Sequence, residues 1–349
     1  MLANRITRML AAAAMTAVST IASGGLLPAD IFQGNVALSI DGIGSNSSPV
    51  GNVQAQIPAG STILRAYLYS AGTPFPWYAD SPVTLADYNG AGITLAGTPI
   101  TNFSKIVGAT STRPDIGQFF TARADVTALA QSLVSSGGPS FSWEIDEGTL
   151  NIRIDGEVLV IAYSNPALPN GSVAILDGGQ NTGGETTTVN LASALGDPSA
   201  AGFVALMSIG DSFSCCGSQK STITIDGNLL TDFAGNFDDG LTLSDGSLIT
   251  VGGIGDPAQT NPASYADDHE LYDLSPLLTM GATSFNIFTV NPTNDDNIFF
   301  MGLTLTGDIG GIVGGVPEPG SLALLGAALL GLLMVGYRRQ RLAGQEPRQ

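Results

Sequence analysis

The side chains that could do chemistry are few, and most of them lack the neighbours their chemistry requires. Gly210-Asp211-Ser212 offers a serine nucleophile. A serine attacks only when a base lies within hydrogen-bond reach and a carboxylate orients that base. The chain has one histidine, His269. One histidine also limits transition-metal chemistry, whose sites usually take two or more His or Cys ligands. Hydrolysis of a glycosidic bond needs an acid and a second carboxylate about 5–10 Å apart. Among 30 acidic residues a pair can always be nominated, Glu144 with Glu157 for example, so the nomination carries little weight. No G-x-x-x-x-G-K-[ST] or G-x-G-x-x-G block opens a helix after a strand, which leaves nucleotide binding without a phosphate cradle. The two cysteines, Cys215 and Cys216, are neighbours. A vicinal disulfide between them would be a strained ring that closes no loop; free thiols or bonds to another chain are the alternatives.

Calcium is the one ligand the residues invite. The oxygen-rich clusters are Asp232/Asn236/Asp238/Asp239, Asp267/Asp268/Glu270 and Asn294/Asp295/Asp296/Asn297. Ca²⁺ takes about 6–8 oxygens, and Asp/Asn-rich loops can supply them. The carboxylates that would carry such sites are Asp238, Asp239, Asp267, Asp268, Asp295 and Asp296. None of the clusters has EF-hand spacing, and each also reads as a solvated turn. No other cofactor is expected. Phe75, Trp77 and Tyr78 lie in one Pro-rich stretch, where they would either stack on a sugar or pack their loop down. The Gly210-Asp211-Ser212 block resembles the nucleophile block of GDSL-type hydrolases. There the histidine follows an aspartate at D-x-x-H spacing; here that position is Ala266, and the block sits mid-chain after a strand. A structural turn is the expected reading.

The elements that must position these residues are mostly strands. Gly accounts for 45 of 349 residues and charged residues for 12%. That composition suits many short strands joined by tight turns. Residues 29–58 read as a first strand pair. The stretch 63–69 reads as a strand with Leu64, Ala66 and Leu68 on one face, and 83–103 as short strands. The stretch 157–163 (EVLVIAY) is apolar on both faces and therefore central. Further strands fit 141–145, 150–154, 172–176, 186–191, 203–209, 222–225, 241–243, 248–251, 284–290 and 297–305. Asp226-Gly227 is a hairpin dipeptide. The one main helix is 124–136, with Asp125 or Thr127 at its start and Val126, Leu129, Leu133 and Val134 as its apolar stripe. The fold class is mainly β: an antiparallel sandwich or jelly-roll with one main helix. No repeat and no composition break divides 25–306 into obvious parts, although two packed sub-domains would also fit.

Both ends carry a different signal. Arg5 and Arg8 precede an Ala-rich apolar run, 9–21, followed by small residues at Ala22, Ser23 and Gly24. That pattern is a secretory signal peptide over 1–24, cut between Ser19 and Gly25. At the other end a Gly-rich linker, 307–315, leads to Val316-Pro317-Glu318-Pro319. An apolar run follows over 321–337 (SLALLGAALLGLLMVGY), then Arg338, Arg339 and Arg341, then a short tail, 342–349. A run of this length with a basic stop is a transmembrane helix whose C-terminus stays in the cytoplasm. The segment 25–316 then lies outside the cytoplasm. It holds 28 acidic and six basic residues, a net charge of −22. Such a surface repels nucleic acid and anionic lipid and attracts cations or basic partners.

The tail, in that order of parts, resembles the PEP-CTERM sorting signal of Gram-negative bacteria. The resemblance implies that an exosortase processes the chain near Pro317-Glu318-Pro319, with Glu318 as recognition handle, after the inner membrane has held the precursor. The body resembles a β-rich module of unknown function found in bacterial and archaeal surface proteins. It does so through Ala66-Tyr67-Leu68-Tyr69, Arg123-Ala124-Asp125-Val126-Thr127, the 157–166 strand and turn, the 221–227 hairpin, and the closing segments 267–274 and 291–300. Together these imply a non-enzymatic surface or extracellular-matrix protein, associated with a biofilm, with exopolysaccharide or with other surface proteins. The alternative is a secreted carbohydrate-binding or carbohydrate-active protein with a Ca²⁺-supported acidic face.

Overall fold

The computed structural model of the chain describes residues 25–44, 48–72, 83–105, 119–134, 139–150, 154–181, 183–212, 220–235, 248–293 and 297–317. The first part of the chain forms β1 (Leu27–Gly34), β2 (Val36–Gly44), β3 (Val50–Gln56), β4 (Thr62–Gly72), helix α1 (Leu85–Gly90), β5 (Thr94–Leu95), β6 (Thr98–Pro99), β7 (Ser104–Lys105), β8 (Phe120–Asp125), helix α2 (Thr127–Val134), β9 (Ser140–Asp146) and β10 (Gly156–Ser164). The second part forms β11 (Gly171–Asp177), β12 (Glu185–Leu191), β13 (Ala205–Ser212), β14 (Ser221–Ile225), β15 (Asn228–Ala234), β16 (Ile249–Val251), β17 (Leu271–Asp273), β18 (Ser284–Val290), β19 (Asn297–Leu305) and β20 (Ile309–Pro317).

These strands make four antiparallel sheets stacked as layers. The outer sheet β3-β9-β5-β6 packs on β2-β10-β4-β8-β7. That second sheet packs on β1-β11-β19-β13-β16, where β17 also pairs with β13. The fourth sheet, β15-β14-β18-β12-β20, covers the far side. Three apolar cores fill the three gaps. The two inner sheets are buried on both faces, and the period of two splits their strands between cores. In β10, Leu159, Ile161 and Tyr163 enter the first core while Val158, Val160 and Ala162 enter the middle one. In β11, Val173 and Ile175 face the middle core while Ala174 and Leu176 face the third. The unbroken apolar run at 157–163 is the mark of that double burial, and β10 is central, between β2 and β4.

Bulges retune the alternation. β4 has one extra residue, Leu64, opposite the Ala162/Tyr163 step of β10. Leu64 therefore packs on the middle core with Tyr67 and Tyr69, while Ile63 joins Ala66 and Leu68 in the first core. The expected face of Leu64, Ala66 and Leu68 is corrected accordingly: one inserted residue reverses every side chain beyond it. A second bulge, opposite Gly210/Asp211, places adjacent Phe299 and Phe300 on one core.

A partly buried polar chain ties the two inner sheets together. The Tyr69 hydroxyl donates to Asp177 (2.9 Å), and the Arg123 guanidinium bonds the same carboxylate while lying 4.4 Å from the centre of the Tyr67 ring. The Tyr67 hydroxyl donates to Asp30 (2.6 Å), which also accepts from Arg65 (3.2 Å).

Several expected elements differ in extent. The stretch 29–58 forms three strands rather than a pair. The main helix begins at Thr127, because Ala124 and Asp125 still belong to β8. Asp125 accepts the Thr127 amide (2.9 Å), the first of the two start residues named from sequence. The stretch 83–103 holds a second, short helix, α1, closed by a capping box between Thr84 and Asp87. The β14–β15 turn is Asp226-Gly227, with φ of 48° and 80°. Two successive positive φ values define the primed hairpin turn that this dipeptide favours.

Candidate functional site

The sorting segment begins inside the fold. Residues 307–315, expected as a linker, mostly form β20, which adds to the edge of the fourth sheet against β12. Glycine is what makes this possible. The register on β12 slips at Gly310 and again at Gly314-Gly315, so the strand bulges twice. A Cβ on Gly314 would stand 2.2 Å from the Leu26 carbonyl oxygen. The strand thus crosses the start of the body at backbone contact distance, and glycine richness here reports close approach rather than freedom. Val316 and Pro317 are the last two residues of β20, opposite Thr186 and Glu185.

The other end of the body arrives at the same corner. A Cβ on Gly25 would stand 2.8 Å from the Gly315 Cα and 3.1 Å from Glu185 Oε2. The Leu26 amide donates to Glu185 Oε1 (3.1 Å), and the Asn181 amide donates to Oε2 (3.1 Å). Leu26 is fully buried and Glu185 nearly so. Burial pushes the Glu185 carboxyl above its ordinary pKa, against the pull of the two amides. One buried carboxylate therefore receives the entry of the body through its side chain and the exit through its backbone pairing.

Residues 315–340 carry a PEP-CTERM protein-sorting motif. A PEP-CTERM motif marks an exported protein that is anchored transiently in the membrane before an exosortase processes it. The body bearing this motif is β-rich, as expected. No curated protein and no solved structure matches the chain. Glu318, Pro319, the apolar run 321–337, Arg338, Arg339 and Arg341 lie outside the described residues, as does the leader 1–24. Among the described residues no helix is long and apolar enough to cross a membrane.

The candidates for chemistry are dispersed. Gly210, Asp211 and Ser212 end β13 as strand residues, not as a turn, and Asp211 and Ser212 are fully buried. Asp211 accepts the Asn297 amide (3.0 Å). Ser212 pairs in register with Ile249 and Asn297, whereas His269 leads into β17, which pairs with the other end of β13. No hydrogen bond joins Ser212 to His269 among the described residues. The His269 Nδ1 lies 3.8 Å from Asp256 instead.

The acidic cluster at 267–270 divides. Asp267 is exposed and accepts from Ser264 (2.6 Å). Asp268 is buried, accepting from Thr231 (2.5 Å) and Tyr272 (2.7 Å). Glu270 is buried too, accepting from Thr250 (2.6 Å) and the Gly235 amide (2.9 Å). These two carboxylates bind β15, β16 and β17 to one another, and the Glu270 backbone carbonyl accepts the Ile209 amide of β13 (3.0 Å). Among the described residues no group of three or more His, Cys, Asp or Glu is arranged to hold a metal ion. Asp238, Asp239, Asp295, Asp296, Cys215, Cys216, Phe75, Trp77 and Tyr78 lie outside the described residues.

Glu157 does not partner Glu144, which faces outward on β9; its neighbour is Glu147. Glu157 is wholly buried and burial raises its pKa to about 7. A cleft of about 270 Å³ opens at the edge of the middle core, lined by Ser39, Gln56, Ser208, Gly253 and Thr304 among others. It holds no acid–base pair. Glu185 and the crossing of Gly25 with Gly315 had no signature in the sequence beyond the glycines themselves, which sequence reading assigned to a leader boundary and a linker.

Proposed function

We propose that this chain is a non-enzymatic surface protein, exported, processed at its PEP-CTERM motif and left in the envelope or the extracellular matrix. The observation that carries the reading is the sorting motif joined to a four-layer β body. Among the described residues no base bonds the buried Ser212. Glu157 is buried beside another carboxylate beneath a sheet, out of reach of a polymer. The charge of the body, −22 over 25–316, suits repulsion between copies and attraction to cationic matrix components.

Glu318 is the only charged residue of 312–337, between the body and the basic stop, and so the natural recognition handle. Pro317 and Pro319 would favour an extended, helix-free backbone on either side of it, which a protease can grip. Glu318→Ala should block processing and leave the full-length form in the membrane fraction; normal release of the variant would count against the reading.

The alternative, a carbohydrate-binding or carbohydrate-active protein with a Ca²⁺-supported face, predicts a different response. Adding Ca²⁺ would raise the melting temperature and EDTA would lower it, because a ligand bound only by the folded state stabilises it. The non-enzymatic reading expects no shift with either reagent and no turnover on polysaccharide panels.

A further inference from the structure

We propose that Glu185 is the docking carboxylate for the α-ammonium group created when the leader is cut between Gly24 and Gly25. The inference rests on the export reading and adds a cleavage position and a receptor for the new chain end.

The cleavage position follows from burial at Gly25 and from the small residues before it. The sequence allows a cut anywhere between Ser19 and Gly25. The fold narrows this range, because Gly25 and Leu26 are already buried. A cut just before Gly25 leaves Ala22 and Gly24 at the third and first positions upstream, the small-residue pattern a signal peptidase reads. In that hydrolysis a water molecule adds across the Gly24–Gly25 amide. The C–N bond breaks, Gly24 leaves as a carboxylate, and the Gly25 nitrogen takes a proton to become an ammonium.

The receptor follows from the surroundings of that nitrogen. A Cβ built on Gly25 would stand 3.1 Å from Glu185 Oε2, which brings the Gly25 Cα, the carbon that carries the nitrogen about 1.46 Å away, within about 5 Å of that oxygen. Glu185 is 1% exposed. Among the described residues its oxygens accept two backbone amides, from Leu26 and Asn181, and no cation pairs with it. A buried carboxylate with no countercharge is costly, and a countercharge delivered by cleavage removes that cost. Only glycine fits at position 25, since a side chain there would strike Gly315. The ammonium therefore arrives on the one residue type that the crossing admits. Because Glu185 also pairs through its backbone with Pro317, the same event secures the strand that leads into the sorting motif.

The test uses processed protein purified from the native cells, wild type and Glu185→Gln. The amide variant still accepts the Leu26 amide but carries no charge. N-terminal sequencing should return Gly25 for both. An amine-reactive reagent at neutral pH should then label the Gly25 amine at least about tenfold more slowly in wild type than in the variant, as one unit of raised amine pKa requires, with Lys220 as internal reference. If Glu185→Gln does not accumulate, wild type alone decides. Denaturing it should speed labelling of the Gly25 amine at least about tenfold relative to the native state. Equal rates in either comparison overturn the pairing, and a terminus at another residue overturns the cleavage position. A chain that keeps Met1 overturns the export reading and this proposal with it, whereas a Gly25 amine that labels freely overturns the pairing alone.

Discussion

Arg123 shows how one side chain can hold two sheets. It pairs with Asp177 from across the middle core, stacks on Tyr67 and shares its carboxylate with the Tyr69 hydroxyl. Asp177 is 5% exposed, so removing the guanidinium leaves a buried charge that, among the described residues, keeps the Tyr69 hydroxyl as its side-chain donor. Arg123→Ala should therefore cost about 2–4 kcal/mol in chemical denaturation, more than truncation of a surface cation. Asp177→Asn should recover part of that loss in the double variant. Asp41 gives a pH signature. Burial, aided by nearby Asp256, raises its pKa from 3.8 to about 7, although the Gln54 amide donates to it. The folded chain then binds the proton more tightly than the unfolded one. The stability from this group is full below about pH 4 and is lost as pH rises through 7. Glu157, raised to about 7 by burial, acts in the same direction. The melting temperature should fall between pH 5 and 7.5, and Asp41→Asn should flatten that slope. A melting temperature that rises over the same range would contradict the buried, protonated state of both groups.

β20 makes its prediction at the scale of the element. Its two glycine bulges let it pass Gly25 and Leu26 while remaining paired to β12. Gly314→Val would drive a side chain into the Leu26 carbonyl, and the strand has to lift from the sheet edge. We expect a destabilisation of about 2 kcal/mol or more and faster proteolysis between 306 and 317. An unchanged protease pattern would show that β20 is not docked in solution. This strand also marks where sequence reading stops. The inner strands were legible, because double burial writes an unbroken apolar run and single burial writes an alternation. The hairpin at Asp226-Gly227 was legible from its turn chemistry. Leu64, Phe299 and β20 were not, because a bulge changes the face of a residue without changing its type. Gly310, Gly314 and Gly315 gave the same letters as a linker. Their meaning comes from the backbone that lies across them: Leu191 and Ala192 at Gly310, and Gly25 and Leu26, nearly 300 positions earlier, at Gly314 and Gly315.

For the whole molecule, the layers come from two stretches of chain: 36–164 builds the first two sheets, and β1 with 171–317 builds the other two. β1 therefore crosses from the start of the chain to join the later sheets, beside β11. That crossing sets the entry at Gly25 beside the exit at Gly315. The candidate site was half legible. The order of its tail (Pro317, Glu318, Pro319, an apolar run, arginines) is visible in sequence because membranes and proteases read extended local patterns. Its structural base at Glu185 is not, because it depends on contacts distant in sequence.

Intact mass spectrometry of the protein recovered from native cells tests the central claim most directly. The account predicts a species that has lost residues 1–24 and ends close to Pro317-Glu318-Pro319, outside the cytoplasm. A soluble cytoplasmic chain at the full 35.6 kDa, with both ends retained, would contradict it.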